Sequence, residues 1–291
     1  MSHENGLSGH WQKNFRIRKI KDAVFTFLVW LLSLATMIPL FLILGYILKG
    51  GSSVLSIKFL TSLPKPPGEP GGGIANALVG TVLLVLIASL IAVPIGIWAG
   101  VFLAERKESP TARFATLVLD VLQSTPSIVI GIIVYLWIVV PMKGFSALSG
   151  GIALAIMMLP VITKTTEETV KMVPDHLKEA AYALGASYST VITKVVLPAS
   201  RKGIISGILV SVARIAGETA PLLFTAFGNP FLNLNIFKPV DALPLLIFNY
   251  ATSPYEDWHM IAWGASAVLV IMILLLNIVV KLVASRSSME T

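Results

Sequence analysis

The chain has 291 residues, of which 55% are hydrophobic and only 13% charged, where a soluble chain carries about 25% charged residues. That is a membrane composition. The absence of cysteine excludes disulfides and thiolate metal sites. A formal charge of +7 does not require a nucleic-acid partner, because Lys and Arg of a membrane protein gather on its cytoplasmic loops. The four histidines (His3, His10, His176, His259) show no ligand spacing, so neither a metal nor a cofactor is expected.

About 20 apolar residues in a helix cross the hydrocarbon, and six runs reach that length. In chain order they are 23–48, 74–104, 121–142, 144–163, 203–227 and 258–280. The first follows basic residues, as a secretory signal does, but it is too long for one and is followed by Lys49-Gly50-Gly51, so a retained span is expected. The outer segment 50–73, with Pro64-Lys65-Pro66-Pro67 and Gly71-Gly72-Gly73, is expected to be irregular and mobile. Run 242–251 is apolar but too short to span and reads as interfacial or re-entrant. The outer segment 229–257 is either a partner contact or a solvated loop. Sixteen basic residues fall on one side: Lys13, Arg16, Arg18, Lys19, Lys21, Arg106, Lys107, Arg113, Lys164, Lys171, Lys178, Lys194, Arg201, Lys202, Lys281 and Arg286. Five (Lys49, Lys58, Lys65, Lys143, Lys238) fall on the other. This asymmetry predicts an all-α membrane protein with six transmembrane helices and both termini cytoplasmic. The expected organisation is a cytoplasmic N-terminal segment (1–22), a first transmembrane helix (23–48), a transmembrane core (74–283) that includes a cytoplasmic loop (164–202), and a cytoplasmic tail (284–291).

The loop 164–202 predicts two short helices. Val173-Pro174-Asp175 begins the first, with Asp175 as N-cap. Leu177, Ala180, Ala181 and Leu184 follow at helical spacing, and Gly185 is placed to end the helix in the left-handed conformation. Ser187 caps the second helix, which runs to Leu197-Pro198. Lys164 to Lys171 reads as a solvated face, and Asp120 as an interfacial or capping contact rather than a transport residue.

One residue interrupts the apolar pattern more than any other. Arg214 lies within run 203–227, and Glu218 follows one helical turn later. Each charge at the centre of a membrane helix costs roughly 2.5–3.5 kcal/mol on insertion scales, so the pair is expected to face protein or water. On a continuous helix Gly203, Gly207, Ser211, Arg214, Glu218 and Thr225 share one small, polar face. Small residues permit close helix approach, and a guanidinium matches phosphate oxygens bidentately. Pro221 cannot donate to the carbonyl of Gly217 and is expected to bend the helix just past the charges. The competing reading is an Arg214–Glu218 ion pair that serves packing alone. Pro94, Pro126 and Pro160 are further candidate kinks.

Two strings carry a resemblance. Glu179-Ala180-Ala181, Gly185 after three residues, then Val195-Val196-Leu197-Pro198 after nine, resembles the cytoplasmic motif of permease subunits of ATP-binding-cassette importers, with Val195 where Ile is usual. The stretch Arg214-Ile215-Ala216-Gly217-Glu218-Thr219-Ala220-Pro221-Leu222-Leu223-Phe224-Thr225-Ala226 is similar to the fifth-span signature of phosphate-importer permeases of the PstA type, and Ser124-Thr125-Pro126-Ser127-Ile128-Val129-Ile130-Gly131 resembles another stretch of them. The likeness covers most of the chain from residue 74 onward. It implies a type I importer permease fold in a bacterial or archaeal cytoplasmic (inner) membrane. The implied partners are a separate ATPase in two copies, a second permease, an external phosphate-binding protein, phosphate and the lipid bilayer. The resemblance makes Glu179, Ala180, Ala181, Gly185, Leu197 and Pro198 the ATPase-coupling residues. Arg214, Glu218, Ser211, Thr219 and Pro221 become candidates for the substrate pathway or its gate. No Gly-x-x-x-x-Gly-Lys-Ser/Thr string is present, so the chain is expected to lack a nucleotide site and catalytic residues of its own. A permease for another oxyanion such as molybdate or phosphonate, or an ion-coupled secondary transporter, is the alternative.

Overall fold

The computed structural model describes residues 4–69 and 71–285. His3, Arg286 and nearly all of the expected tail at 284–291 lie outside the described residues. The chain divides into two units after Gly50. The first is essentially one helix, α1 (Glu4–Ser52), which passes through Pro39 without a break. Its apolar side chains, from Ile20 to Leu48, are largely exposed, which suits a helix surrounded by lipid.

The described residues of the second unit form ten helices: α2 (Ile57–Thr61), α3 (Ala75–Glu105), α4 (Pro110–Ser124), α5 (Ser127–Met142), α6 (Ala147–Lys171), α7 (Asp175–Ala183), α8 (Tyr188–Ile215), α9 (Ala220–Leu223), α10 (Leu243–Ala251) and α11 (Glu256–Ser285). The described residues contain no strand beyond one isolated bridge between Phe227 and Val240. Among the described residues five helices are long and apolar enough to cross a membrane, and the bent pair α4–α5 makes a sixth if it counts as one span. The six expected runs are therefore all helical, although two of them are broken.

The bundle is built around α6, the most enclosed of the long helices. Van der Waals packing, rather than the hydrophobic effect, must hold helices together in lipid, so small residues at the seams matter most. Helix α3 runs parallel to α6 along such a seam. A Cβ at Gly96 would lie 2.8 Å from Ile162, and one at Gly100 would lie 2.5 Å from the Cβ of Thr166. Helix α8 runs antiparallel against the same helix, with Gly207 pressed on Thr165. Leu84, Ala88, Leu154, Met158, Ile162, Ile215 and Leu222 fill the centre.

Several expectations about element ends are corrected. Helix α6 does not stop at residue 163 but continues two turns to Lys171, burying Thr163, Thr166 and Val170. Lys164 pairs with Asp120 of α4, and Lys171 with Glu167, so the segment 164–171 is a packed helix rather than loop. The second helix of the expected loop is likewise the start of α8. Pro198 does not end it, because a π-helical stretch (Ile192–Val196) immediately before absorbs the proline. Only 172–187 connects the two spans. Asp175 is not the N-cap: Pro174 holds that place with no side-chain bond, and Asp175 sits in the first turn. Ser187 does cap, accepting the N–H of Thr190 at 3.4 Å. Pro94 and Pro160 lie inside continuous helices, whereas Pro126 marks a break.

The segment 50–73 is not irregular throughout. It contains α2, capped by Ser56, and Phe59 is buried. Backbone bonds from Gly73 to Leu63, Ile74 to Phe59 and Ala75 to Ser62 tie its return into α3. Next to it, Asn76 in the first turn of α3 donates to the carbonyl of Asn229 (2.7 Å) and to the buried carboxylate of Asp241 (3.1 Å). Burial pushes the Asp241 carboxyl up from 3.8 to about 7, against the lowering effect of hydrogen bonds from the Ala242 N–H and Asn76.

Two stability measurements follow. Gly100→Ala should lower stability by about 1–3 kcal/mol through overpacking, whereas Gly45→Ala in α1, with nothing within 4 Å of the new Cβ, should not lower it. Fluorescence-detected unfolding in detergent compares them; equal midpoints would contradict the tight seam. The raised carboxyl of Asp241 sets the second. The folded chain holds that proton more tightly than the unfolded one, so stability should fall as pH rises from about 4 to about 7. Asp241→Asn should remove that component of the slope, and an unchanged pH profile would refute it.

Candidate functional site

The fifth apolar run does not form one helix. Helix α8 ends at Ile215, and residues 216–219 make only tight turns, with Gly217 N–H bonding Arg214 and Glu218 N–H bonding Ile215. A glycine at 217 followed by a proline at 221 cannot sustain the helical ladder. The chain resumes as the single turn α9 and then reaches Thr225, whose carbonyl accepts from Ser146 N–H and from the Ser149 hydroxyl at the start of α6. The break therefore falls partway through the bundle, not at its edge. Helix α8 places Gly207 level with Thr165, so Arg214, two turns further, comes level with the middle of α6. Met157, Pro160 and Val161 line one cleft with it.

This corrects the expectation that Arg214 interrupts a continuous helix and that Pro221 bends that helix beyond the charges. Arg214 is in the last helical turn, where a cation is favoured by the helix dipole by about 0.3–1 kcal/mol. Its side chain is half exposed and its Nε lies 3.8 Å from Oε1 of Glu218, which is 20% exposed. At that separation, with one member open, the pair contributes little to stability.

A second broken helix meets the first here. Helices α4 and α5 are bent by 105° where the sequence reads Ser124-Thr125-Pro126. Pro126 lacks an N–H and drives Thr125 to an extended backbone. The expected third span, 121–142, is thus broken four residues in. Leu122, Gln123, Thr125 and Ile130 from this corner form the other wall of the Arg214 cleft. The void between them is about 10 Å³, room for about one water and too small for a tetrahedral anion in this conformation. Irregular backbone at membrane depth is tolerated where it is buried in protein or lines a cavity.

The remaining residues of the expected stripe take different places. Ser211 is buried and donates to the carbonyl of Gly207 in its own helix (2.9 Å). Thr219 precedes α9, and its carbonyl accepts from Leu222 and Leu223. Pro221 is buried against Gly131 of α5, where a Cβ would lie 2.7 Å from the Pro221 Cα. The shared face extends from Gly203 to Arg214; Glu218 and Thr225 lie past the break.

The second candidate region is α7 and its corner. Gly185 has φ +79°, the left-handed conformation expected of it. Glu179 and Ala180 are exposed, and Glu179 forms no ion pair among the described residues. Ala181 turns inward onto a cluster of Val101, Val170, Val173, Val191, Ile192 and Val196, together with Leu197, while Pro198 is exposed. The sequence reading missed two features here. Lys178 reaches back to Glu105 at the end of α3 (2.6 Å, both side chains under 20% exposed) and anchors the helix. Met172, Leu177, Tyr182 and Leu184 leave apolar surface open, with Leu184 89% exposed. The signal for Leu184 was present: an apolar residue directly before the corner glycine has no neighbour to bury it.

Residues 92–288 match the family described as binding-protein-dependent transport system inner membrane component. The phosphate transport system permease protein PstA of Yersinia pestis is 43% identical over 81% of this chain and 80% of its own length. A probable phosphate transport system permease protein PstA of Methanocaldococcus jannaschii is 40% identical over 92% of this chain and 95% of its own. Among solved structures, the inward-facing MetNI methionine ABC transporter shares the fold at a TM-score of 0.57 and 17% identity, over 74% of this chain and 94% of that one. With a family match over most of its length and relatives this similar over most of both chains, the chain belongs to the PstA family of binding-protein-dependent transport system inner membrane components.

Proposed function

We propose that this chain is the permease subunit of an ATP-driven phosphate importer in a bacterial or archaeal inner membrane. With a second permease it forms the path for inorganic phosphate, which an external binding protein delivers. The chain is not itself an enzyme; two copies of a separate ATPase hydrolyse ATP and act on α7. Both termini and the connection 172–187 face the cytoplasm in this reading, supported by the sixteen-to-five basic asymmetry. The observation that carries the proposal is the meeting of two broken helices around a half-open arginine at mid-bundle, in a chain whose relatives are phosphate permeases.

Each part has a task. Exposed Glu179, Ala180 and Leu184 meet the ATPase, Gly185 fixes the corner, and the Lys178–Glu105 pair passes displacement of α7 to α3. Leu197 and Pro198 transmit it along α8, whose far end carries Arg214. Arg214 contacts or gates phosphate; Glu218 would repel the anion, so it orients Arg214 instead. Thr219 and Pro221 set the break, and Ser211 holds the close packing beneath it.

The lever is tested through the absence of native cysteine. A Cys at Leu184 should react with a membrane-impermeant reagent only from the cytoplasmic side and cross-link to the ATPase. Gly185→Val should abolish uptake while leaving the complex membrane-inserted, since a β-branched residue resists positive φ. Labelling from outside, or no ATPase capture from position 184, would sink the lever. The pathway is tested at Arg214. Arg214→Gln should cut uptake by about ten- to hundredfold, as expected for charge-assisted hydrogen bonds worth roughly 1.5–3 kcal/mol. Arg214→Lys should recover little, because an ammonium lacks the planar fork. The exchange Arg214→Glu with Glu218→Arg keeps the attraction but moves the cation past the helix end. Normal uptake by that protein would leave Arg214 with a packing role only.

A further inference from the structure

A groove outside the proposed pathway lies at the end of the bundle that carries α7. It encloses about 380 Å³ between the last turns of α3 and the first turns of α8, and its walls are Trp98, Phe102 and Arg106 on one side and Tyr188, Ser189 and Thr193 on the other, over a floor of Val101 and Ile192. Trp98, Phe102 and Arg106 recur every four residues and so form one stripe along α3. Trp98 is 55% exposed and Phe102 38%. Arg106 is exposed, is the first residue beyond the helix, and forms no ion pair among the described residues. Its neighbour Glu105 is already committed to Lys178.

The groove therefore has a polarity gradient. Its inner part is aromatic and aliphatic, and its outer rim carries an unneutralised guanidinium beside three hydroxyl-bearing side chains. Trp98 and Arg106 are eight residues apart, about 12 Å along the helix axis. A phosphate at Arg106 would thus put the first acyl methylenes beside Phe102 and Trp98. Aromatic rings at the membrane interface and basic pockets between helices that take anionic headgroups follow the same physics.

We propose that this groove binds one anionic phospholipid, with its phosphate on Arg106 and an acyl chain along Phe102 and Trp98. The bound lipid bridges the end of α3 to the start of α8, one residue from the Glu105–Lys178 anchor of α7. A lipid there holds together the two helix ends that the lever moves.

Bromine on acyl chains quenches a neighbouring tryptophan, and Trp98 is a native reporter. The transporter complex, purified with its partner subunits, is placed in phosphatidylcholine nanodiscs containing a minor fraction of brominated phosphatidylglycerol or of brominated phosphatidylcholine. The Trp98 signal is taken as the difference between the native chain and Trp98→Phe. Quenching should favour phosphatidylglycerol by about fivefold, the preference that one basic residue gives near an anionic headgroup. Arg106→Gln should abolish the preference, and Arg106→Lys should retain part of it. Native mass spectrometry of the unaltered complex should retain phosphatidylglycerol over phosphatidylcholine, a readout that needs no variant to fold. Equal quenching by the two lipids, or a preference that survives Arg106→Gln, overturns the proposal. Absence of quenching by either lipid assigns the groove to a protein neighbour and also overturns it. Relief of quenching by added inorganic phosphate would make the groove a free-anion site, which again is not what is proposed.

Discussion

Close backbone approach along α6 is the constraint on which the rest of this molecule depends. In lipid no solvent drives helices together, so contact must come from packing and from small residues that let it occur. Gly96 and Gly100 bring α3 against α6 on one side, and Gly207 brings α8 against it on the other. These contacts set the heights of the helices relative to one another. Because α8 is held in register by Gly207 on Thr165, its end at Ile215 falls at mid-bundle, and Arg214 is carried there with it. A helix ending at the same residue but shifted by two turns would put that arginine at the rim, where it would need no explanation.

The breaks themselves are local chemistry held by tertiary contact. Pro126 and Gly217 weaken the helical ladder where they stand, but Pro94 and Pro160 do not break theirs. The difference lies in what surrounds them. Helices α3 and α6 are clamped along their length by each other, whereas the corner at Thr125 and the end of α8 at Arg214 face a common cleft. Pro221 then packs on Gly131, locking the two broken segments together. The charge pair inside this junction is loose, with a 3.8 Å separation and one half-exposed member. Such a pair is a poor structural clamp.

The opposite end of α8 belongs to a different mechanical element. Helix α7 offers outward the carboxylate of Glu179, the exposed Ala180 and, at its end, the side chain of Leu184, while Ala181 turns inward onto a valine-rich cluster. Lys178 and Glu105 tie it to α3 through a largely enclosed pair. Helix α7 therefore contacts the ends of both helices that flank α6, one of which leads to Arg214. The proposed lipid groove occupies the seam between the same two ends, so membrane composition would act at the joint where the lever meets the bundle.

The sequence by itself determined six apolar segments, and the α3 boundaries it implied differ from the structure by one residue at each end, because continuous hydrophobicity bounded by Gly and charge is a strong local signal. It also determined the Gly185 corner and the Ser187 cap, where a single residue's backbone preference decides the geometry. The strings at 124–131 and 214–226 carried the family likeness. What only the tertiary structure decided was where helices continue or stop. Residues 164–171 read as a charged loop, yet their lysines are neutralised by Asp120 and Glu167, Thr165 and Thr169 pack on glycines of α8 and Thr166 on Gly100 of α3, so the helix runs on. Pro198 read as a terminus, yet a π stretch carries α8 through it. Arg214 read as the centre of a continuous span, yet it ends a helix inside the bundle. For residues 164–171 the deciding partners, Asp120 and the glycines of α3 and α8, lie far away in sequence, and periodicity along one segment carries no information about what will be packed against it.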